Sequence, residues 1–193
     1  MTSTGYALVV IDMQEHFRGI AEPIISELNH TIEACHLLGI PVIFTQHGHP
    51  DPRAEEQTNV LVKWWGAQDS IKFGSKSWRL LPEVHRSKAD TFITSKQTYD
   101  AFHKTELEEV LEACGVGQLI ISGVMTNCCC ETTARSAFVK NYDVTFLSDG
   151  TATSSEEMHR ATLLNIGVAF GRVLTCAELR DEVKVAAGEA EPD

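Results

Sequence analysis

The feature that most constrains this chain is a repeated alternation, which starts at Tyr6 to Ile11, "YALVVI". A strand with one wet face alternates apolar and polar residues. This run has no polar break and is rich in β-branched side chains, so it predicts a strand covered on both faces, as in parallel sheets. A helical pattern through Ile24, Ile25, Leu28, Ile32 and Leu37 follows, closed by Gly39, and the next strand is "PVIFTQ", Pro41 to Gln46. Residues His47 to Pro82 break the rhythm with prolines, glycines and three tryptophans, the composition of a long segment serving a site or an interface. It resumes with a strand at Thr91 to Lys96, a helix from about Thr105 to Cys114 ended by Gly115, and a strand at Gln118 to Val124. A helix over about Asn127 to Lys140, a strand at Val144 to Asp149, a helix over about Ser155 to Ala169, the short strand "RVLT" and a last helix from near Cys176 complete the series. Such alternation predicts an α/β fold: a three-layer α-β-α sandwich around a doubly wound, mainly six-stranded parallel sheet. At 193 residues and with no linker or repeat, the chain reads as one domain over 1–193, with about 186–193 as a frayed tail.

Composition narrows the function classes. Apolar residues make up 43% and charged residues 22%, as in ordinary globular proteins. A formal net charge of -11 disfavours nucleic acid, whose phosphates call for a basic surface. No apolar stretch approaches the roughly 20 residues of a membrane span. The N-terminus shows no basic region, signal-type apolar stretch or cleavage site, which predicts a cytoplasmic protein acting on a small molecule.

In doubly wound sheets ligands gather beyond the carboxyl ends of the strands. Asp12, the pair His47 and His49, Lys96, the cysteine cluster and Asp149 all fall at or just after a predicted strand end, so they are expected to converge. The cysteine cluster reads "GVMTNCCCETTARSAF" from Gly123 to Phe138, with Cys128, Cys129 and Cys130 adjacent. Adjacent residues do not readily meet disulfide geometry, and C-C-C matches no zinc spacing. Cys35, Cys114 and Cys176, single within apolar segments, read as small buried hydrophobes. A thiol at a strand-to-helix turn is drawn toward thiolate by the helix dipole and by a nearby lysine. Successive helix positions diverge by about 100°, so only one of the three can face a cleft. Periodicity does not say which, and three small packed residues is the plainer alternative.

"GVMTNCCCETTA" resembles the isochorismatase-like cysteine hydrolases, whose pattern of roughly G-[VL]-x-T-[DNS]-x-C-x-x-x-T-A opens a helix and places its cysteine on Cys129. The resemblance extends to Asp12 in "ALVVIDMQEHF", Lys96 in "SKQTYDAF" and the segment "SDGTAT". It implies that Cys129 attacks a carbonyl, Asp12 moves the proton, and Lys96 holds the aspartate and favours the thiolate. It also implies a cis peptide between Val124 and Met125 and an oxyanion hole from the Met125 and Cys129 amides. Taken singly, Asp12 reads as a turn residue and Lys96 as a solvated strand end.

Within the family the nicotinamidase-related branch is the most similar, which implies cleavage of the C–N bond of a small amide through a thioester. Phe17, Trp64, Trp65 and Tyr99 are the expected pocket residues, and a planar amide stacked on an aromatic wall suits them. Burial in an interface is the other use of the tryptophans. The triad needs no cofactor. In the branch a D-x-H element binds a metal; here the place reads "TQHGHPDP", the aspartate is replaced, and His47 and His49 are candidate ligands for Zn, Fe or Mn, with Asp51 and His85 as weaker third choices. His16, His30, His36, His85, His103 and His159 otherwise read as surface or satisfied histidines, and Glu131 as a first-turn residue that faces solvent or pairs locally. The rival readings are isochorismate vinyl-ether hydrolysis, hydrolysis of ureido or carbamoyl compounds, and a non-catalytic binding protein that keeps the fold. A homo-oligomer is expected from the three tryptophans of the long segment and from the family's habit.

Overall fold

The computed structural model describes residues 5–188. Its centre is a six-stranded, all-parallel sheet in the order β3-β2-β1-β4-β5-β6, from β1 (Gly5–Ile11), β2 (Val42–Thr45), β3 (Thr91–Ile93), β4 (Val116–Val124), β5 (Asp143–Ala152) and β6 (Arg172–Leu174). Among the described residues eight α-helices accompany it: α1 (Arg18–Ala21), α2 (Ile25–Leu37), α3 (Pro52–Glu55), α4 (Val60–Trp65), α5 (Leu107–Ala113), α6 (Glu131–Val139), α7 (Glu156–Ala169) and α8 (Cys176–Ala186).

The unbroken apolar run of β1 has the expected cause. Ala7, Val9 and Ile11 pack into one core with α5, α6 and α7, while Leu8 and Val10 pack into the other with α2 and α8. Leu28, Ile32 and Cys35 form the buried stripe of α2, each of the two aliphatic residues contributing roughly 1.5–3 kcal/mol by burial. α8 begins with a capping box, Thr175 accepting from the Glu178 amide while Glu178 accepts from the Thr175 amide.

β1 and β4 meet with no room between them. Gly123 has φ 105, and a Cβ there would lie 2.0 Å from the Ile11 carbonyl oxygen, so only glycine lets the strands pair in register. This contact fixes the ends of β1 and β4 side by side at the point where strand order reverses.

Several elements differ from the sequence expectation. β3 stops at Ile93 because it is an edge strand paired only with β2, leaving Lys96 in the following turn. β5 does not end at Asp149 but runs on past an irregularity in its pairing with β4. Asp149 does not join the residues that line the cavity at Cys129; its carboxylate accepts the Cys176 amide at 2.6 Å at the start of α8. The segment between β2 and β3 contains α3 and α4, the latter capped by Asn59, whose side chain accepts from the Leu61 and Val62 amides. Cys35 and Cys176 are buried as expected, but Cys114 is exposed at the end of α5. Of the tail, α8 continues to Ala186, and residues 189–193 lie outside the described residues. Among the described residues no helix is long and apolar enough to cross a membrane.

Candidate active site

Asp12 follows β1 with φ 50, a left-handed conformation that aspartate tolerates better than most residues. Its amide donates to the Thr45 carbonyl at 3.2 Å, and the Thr45 hydroxyl donates back to one carboxylate oxygen at 2.6 Å. The other oxygen accepts from Lys96 Nζ at 2.5 Å, and both residues are wholly buried. Lys96 Nζ also donates to Cys129 Sγ at 3.3 Å. Three residues from three separate strand ends thus share one buried cluster.

The turn that carries Cys129 is wider than an α-helical one. Over Thr126–Cys130 the chain forms a π-type turn in which the Cys130 amide reaches the Met125 carbonyl at 3.2 Å, before α6 begins at Glu131. The peptide bond between Val124 and Met125 is cis. The adjacent cysteines separate as helical geometry requires. Cys129 lines the cavity, Cys130 turns into the core and donates to the Ser122 carbonyl at 3.8 Å, and Cys128 is half-buried.

Burial acts on the charge of the cluster. It pushes the Cys129 thiol up, Lys96 pulls it down and the Asp12 carboxylate raises it again, with a net rise. Burial likewise opposes the Lys96 ammonium, but Asp12 and Cys129 together outweigh it and hold its pKa raised. Burial thus opposes the thiolate that the helix start and Lys96 favour, and the two tendencies meet at Cys129. Transfer of the thiol proton to Asp12 keeps the net charge of the cluster unchanged.

A cavity of about 380 Å³ opens onto Cys129. Phe17, Trp65, Tyr99 and Met125 line it, and Trp65 Nε1 donates to the Tyr99 hydroxyl at 2.7 Å. Trp64 is not among the lining residues. It is 78% exposed, since the next position on α4 faces away from Trp65. His16 lines the cavity although its sequence context gave it no site role, and so do Ile20 and Leu61. Gln14, also missed, is wholly buried and fastens the wall, as described below. Position is the signal that could have found both, since Gln14 and His16 follow closely on Asp12.

His47 and His49 both line the cavity, with their rings edge to face and centroids 5.0 Å apart. Nδ1 of His49 is 2.9 Å from a Glu55 carboxylate oxygen. Neither proposed third ligand joins them: Asp51 is exposed, and His85 pairs with Glu33 of α2 at 2.7 Å. Among the described residues no group of three or more His, Cys, Asp or Glu side chains is arranged to hold a metal ion. His47 and His49 alone fall short of the three protein ligands that a zinc, iron or manganese site takes, and no step is derived through such an ion. Of the remaining residues, His159 bonds the Thr126 hydroxyl at 2.9 Å, and Glu131 pairs with Arg135 at 2.6 Å and accepts from the Thr162 hydroxyl at 2.6 Å.

The reversed strand order, with a buried cysteine, carboxylate and ammonium at its edge, defines a doubly wound α/β protein with a thiol at the centre of its candidate site. The chain belongs to the isochorismatase family, whose domain model matches residues 6–178. It is 42% identical over 175 residues to Nicotinamidase 3 of Arabidopsis thaliana, covering 90% of this chain and 86% of the relative. It is 29% identical over 199 residues to the ureidoacrylate amidohydrolase RutB of Yersinia enterocolitica, covering 89% and 86%. Among solved structures, a cysteine hydrolase from Pseudomonas syringae pv. phaseolicola superposes with a TM-score of 0.88 at 25% identity, covering 96% of this chain and 95% of that one. The protein is accordingly an isochorismatase-like hydrolase.

Proposed function

We propose that this protein hydrolyses the C–N bond of a small planar amide through a thioester on Cys129, releasing a carboxylic acid and ammonia. The observation that carries the reading is the meeting of Asp12, Lys96 and Cys129 in one buried cluster, with Lys96 Nζ 2.5 Å from Asp12 and 3.3 Å from the sulfur. The 42% identity to a nicotinamidase supports the amide class.

In the proposed reaction Asp12 takes the Cys129 proton as the sulfur forms a bond to the amide carbon. Charge that develops on the carbonyl oxygen is met by the backbone amides of Met125 and Cys129. Asp12 returns the proton to the departing nitrogen, the C–N bond breaks and ammonia leaves. A water molecule then gives its proton to Asp12 and attacks the thioester carbon. The acid departs and the proton returns to the sulfur, so one turnover consumes one water. Lys96 keeps Asp12 oriented and balances the negative charge as it moves between carboxylate and sulfur. Phe17, Trp65 and Tyr99 provide apolar walls for a flat substrate.

Ammonia release from nicotinamide, ureidoacrylate and other small amides tests the reading. Turnover of at least one amide that disappears in Cys129→Ala supports it. Ammonia-free turnover of isochorismate, or iodoacetamide modifying Cys129 no faster than Cys35 with no amide consumed, replaces it with the vinyl-ether or the non-catalytic alternative. We further read the protein as a cytoplasmic homo-oligomer. Val60 and Trp64, 81% and 78% exposed on α4 beside the cavity, support self-association, which light scattering in solution tests.

A further inference from the structure

Taking a proton from Cys129 requires more of Asp12 than nearness. A carboxyl group turns about its Cβ–Cγ bond over a broad range, so one hydrogen bond does not fix the plane in which its lone pairs lie. Lys96 Nζ, 2.5 Å from Oδ2 and 3.3 Å from Cys129 Sγ, holds a single oxygen, and a compact ammonium with three rotatable donors follows a turned carboxylate easily. The second oxygen is held from another strand. Thr45, the last residue of β2, is wholly buried, and its hydroxyl donates to Asp12 Oδ1 at 2.6 Å.

That donor is itself aimed. The Asp12 amide, turned by the left-handed φ of 50, points at the end of β2, to the Thr45 carbonyl at 3.2 Å and to the Thr45 hydroxyl oxygen at 3.3 Å. With this N–H on its lone pair the hydroxyl keeps its own proton for Oδ1, which closes a ring of hydrogen bonds between the two residues. The strands that carry them are in register, Ile11 opposite Thr45. Two residues further on they are fastened again. The His47 amide donates to Gln14 Oε1 at 2.8 Å, and Gln14 Nε2 donates to the His47 carbonyl at 3.0 Å and to the Trp78 carbonyl at 2.8 Å. Packing alone would be met by valine, which has the same shape, suits a strand and buries no hydroxyl. The hydroxyl at this position therefore calls for a use.

We propose that Thr45 is a positioning residue for the proton transfer: its hydroxyl and the Lys96 ammonium pin the two oxygens of Asp12 separately, so that the carboxylate keeps a free lone pair turned toward the Cys129 sulfur. The inference rests on the hydrolytic reading above and deepens it. A hydroxyl suits the place because it fixes direction without adding charge. A second cation would hold the carboxylate as firmly but would oppose its taking the proton, whereas a neutral donor leaves the pair with Lys96 balanced.

The test uses Thr45→Val, which removes the hydroxyl and keeps the β-branched shape, and Thr45→Ser, which keeps the hydroxyl. With whichever of nicotinamide and ureidoacrylate the unmodified protein turns over, Thr45→Val is expected to lower kcat by about 10- to 100-fold and to leave KM within about twofold, the pattern of a misaligned group rather than of lost binding. Thr45→Ser is expected to stay within about threefold of the unmodified protein in both. The second readout needs no substrate: the rate at which iodoacetamide alkylates Cys129 near neutral pH, followed by mass spectrometry. Here the direction decides. Withdrawing a donor makes the carboxylate a stronger base and by itself would speed alkylation, whereas lost alignment slows it. A fall of about fivefold or more in Thr45→Val, restored in Thr45→Ser, is expected. The proposal is overturned if Thr45→Val keeps its kcat, if its Cys129 is alkylated as fast as before or faster, or if serine does not restore what valine removes. A loss of stability in urea with alkylation unchanged makes Thr45 a purely structural residue and overturns it too. Should the valine variant not fold, Thr45→Ala is read by the same two measurements. Alkylation that depends on Thr45 without ammonia from any amide sinks the hydrolytic reading alone, whereas ammonia release with kcat and alkylation indifferent to Thr45 sinks this inference alone.

Discussion

The ends of β1 and β4 and the segment between β2 and β3 border one cavity but are built on different terms. At the strand ends the backbones touch, Gly123 leaves no space against Ile11, and both oxygens of the Asp12 carboxylate are engaged. The segment consists of short helices and turns joined by scattered backbone hydrogen bonds, such as His49 N to the Ile71 carbonyl at 2.8 Å. It supplies a ring nitrogen without a partner and a half-exposed Trp65. On the proposed reading the contrast is a division of labour: the groups assigned to bond breaking sit where the sheet cannot relax, and part of the pocket wall sits where side chains can be exchanged without disturbing the buried ion pair.

The sharpest way to break this division is at the sulfur. Cys129→Ala is expected to lower kcat by at least about 10³-fold, the scale of losing a nucleophile, with amide binding largely retained in a calorimetric titration. Retained turnover would move the chemistry elsewhere. Asp12→Ala is next, and its effect on stability separates the two regions. It leaves the Lys96 ammonium buried and unpaired, so unfolding in urea should show a loss of about 3–5 kcal/mol, whereas Trp64→Ala should change stability little.

The buried thiols sharpen the comparison through pH. Burial pushes Cys35 and Cys176 up to about 12 from an ordinary 9.0. Above pH 9 the unfolded chain releases these protons while the folded chain keeps them. Stability should therefore be level just below pH 9 and fall above it, by about 1.4 kcal/mol per thiol for each pH unit. His47 has the opposite sign. Its folded pKa lies well below 6.5, so below that pH the unfolded chain gains a proton that the folded chain refuses, and stability falls as pH drops. Urea midpoints between pH 5 and 10.5 check both flanks. The smallest effects lie on α4. Trp65→Ala should raise KM by up to about tenfold through lost stacking area, and Trp64→Ala should leave KM within about twofold, because it faces away from the cavity.

Much of this was legible before any coordinates. The two-sided strands declared themselves as unbroken apolar runs, and the strand-end rule, joined to a family resemblance, singled out Asp12, Lys96 and Cys129. Periodicity alone could not choose among Cys128, Cys129 and Cys130, because phase depends on where the wide turn begins. The same uncertainty put Trp64 beside Trp65 in the pocket. Asp149 misled because a strand can continue through an irregular register that apolar pattern does not reveal. Gln14 carries no periodic signal: its value comes from backbone groups distant in sequence, at His47 and Trp78. The depth at which Cys129 is buried carries no motif either, since it depends on how completely the cavity floor closes.

The bond between the Trp65 indole and the Tyr99 hydroxyl has a practical consequence. An indole at the entrance, polarised by a phenol, is an optical reporter already in place. In a protein whose other two tryptophans, Trp64 and Trp78, have been changed to phenylalanine, the emission of Trp65 would register each arrival and departure of a ligand in real time without any attached dye.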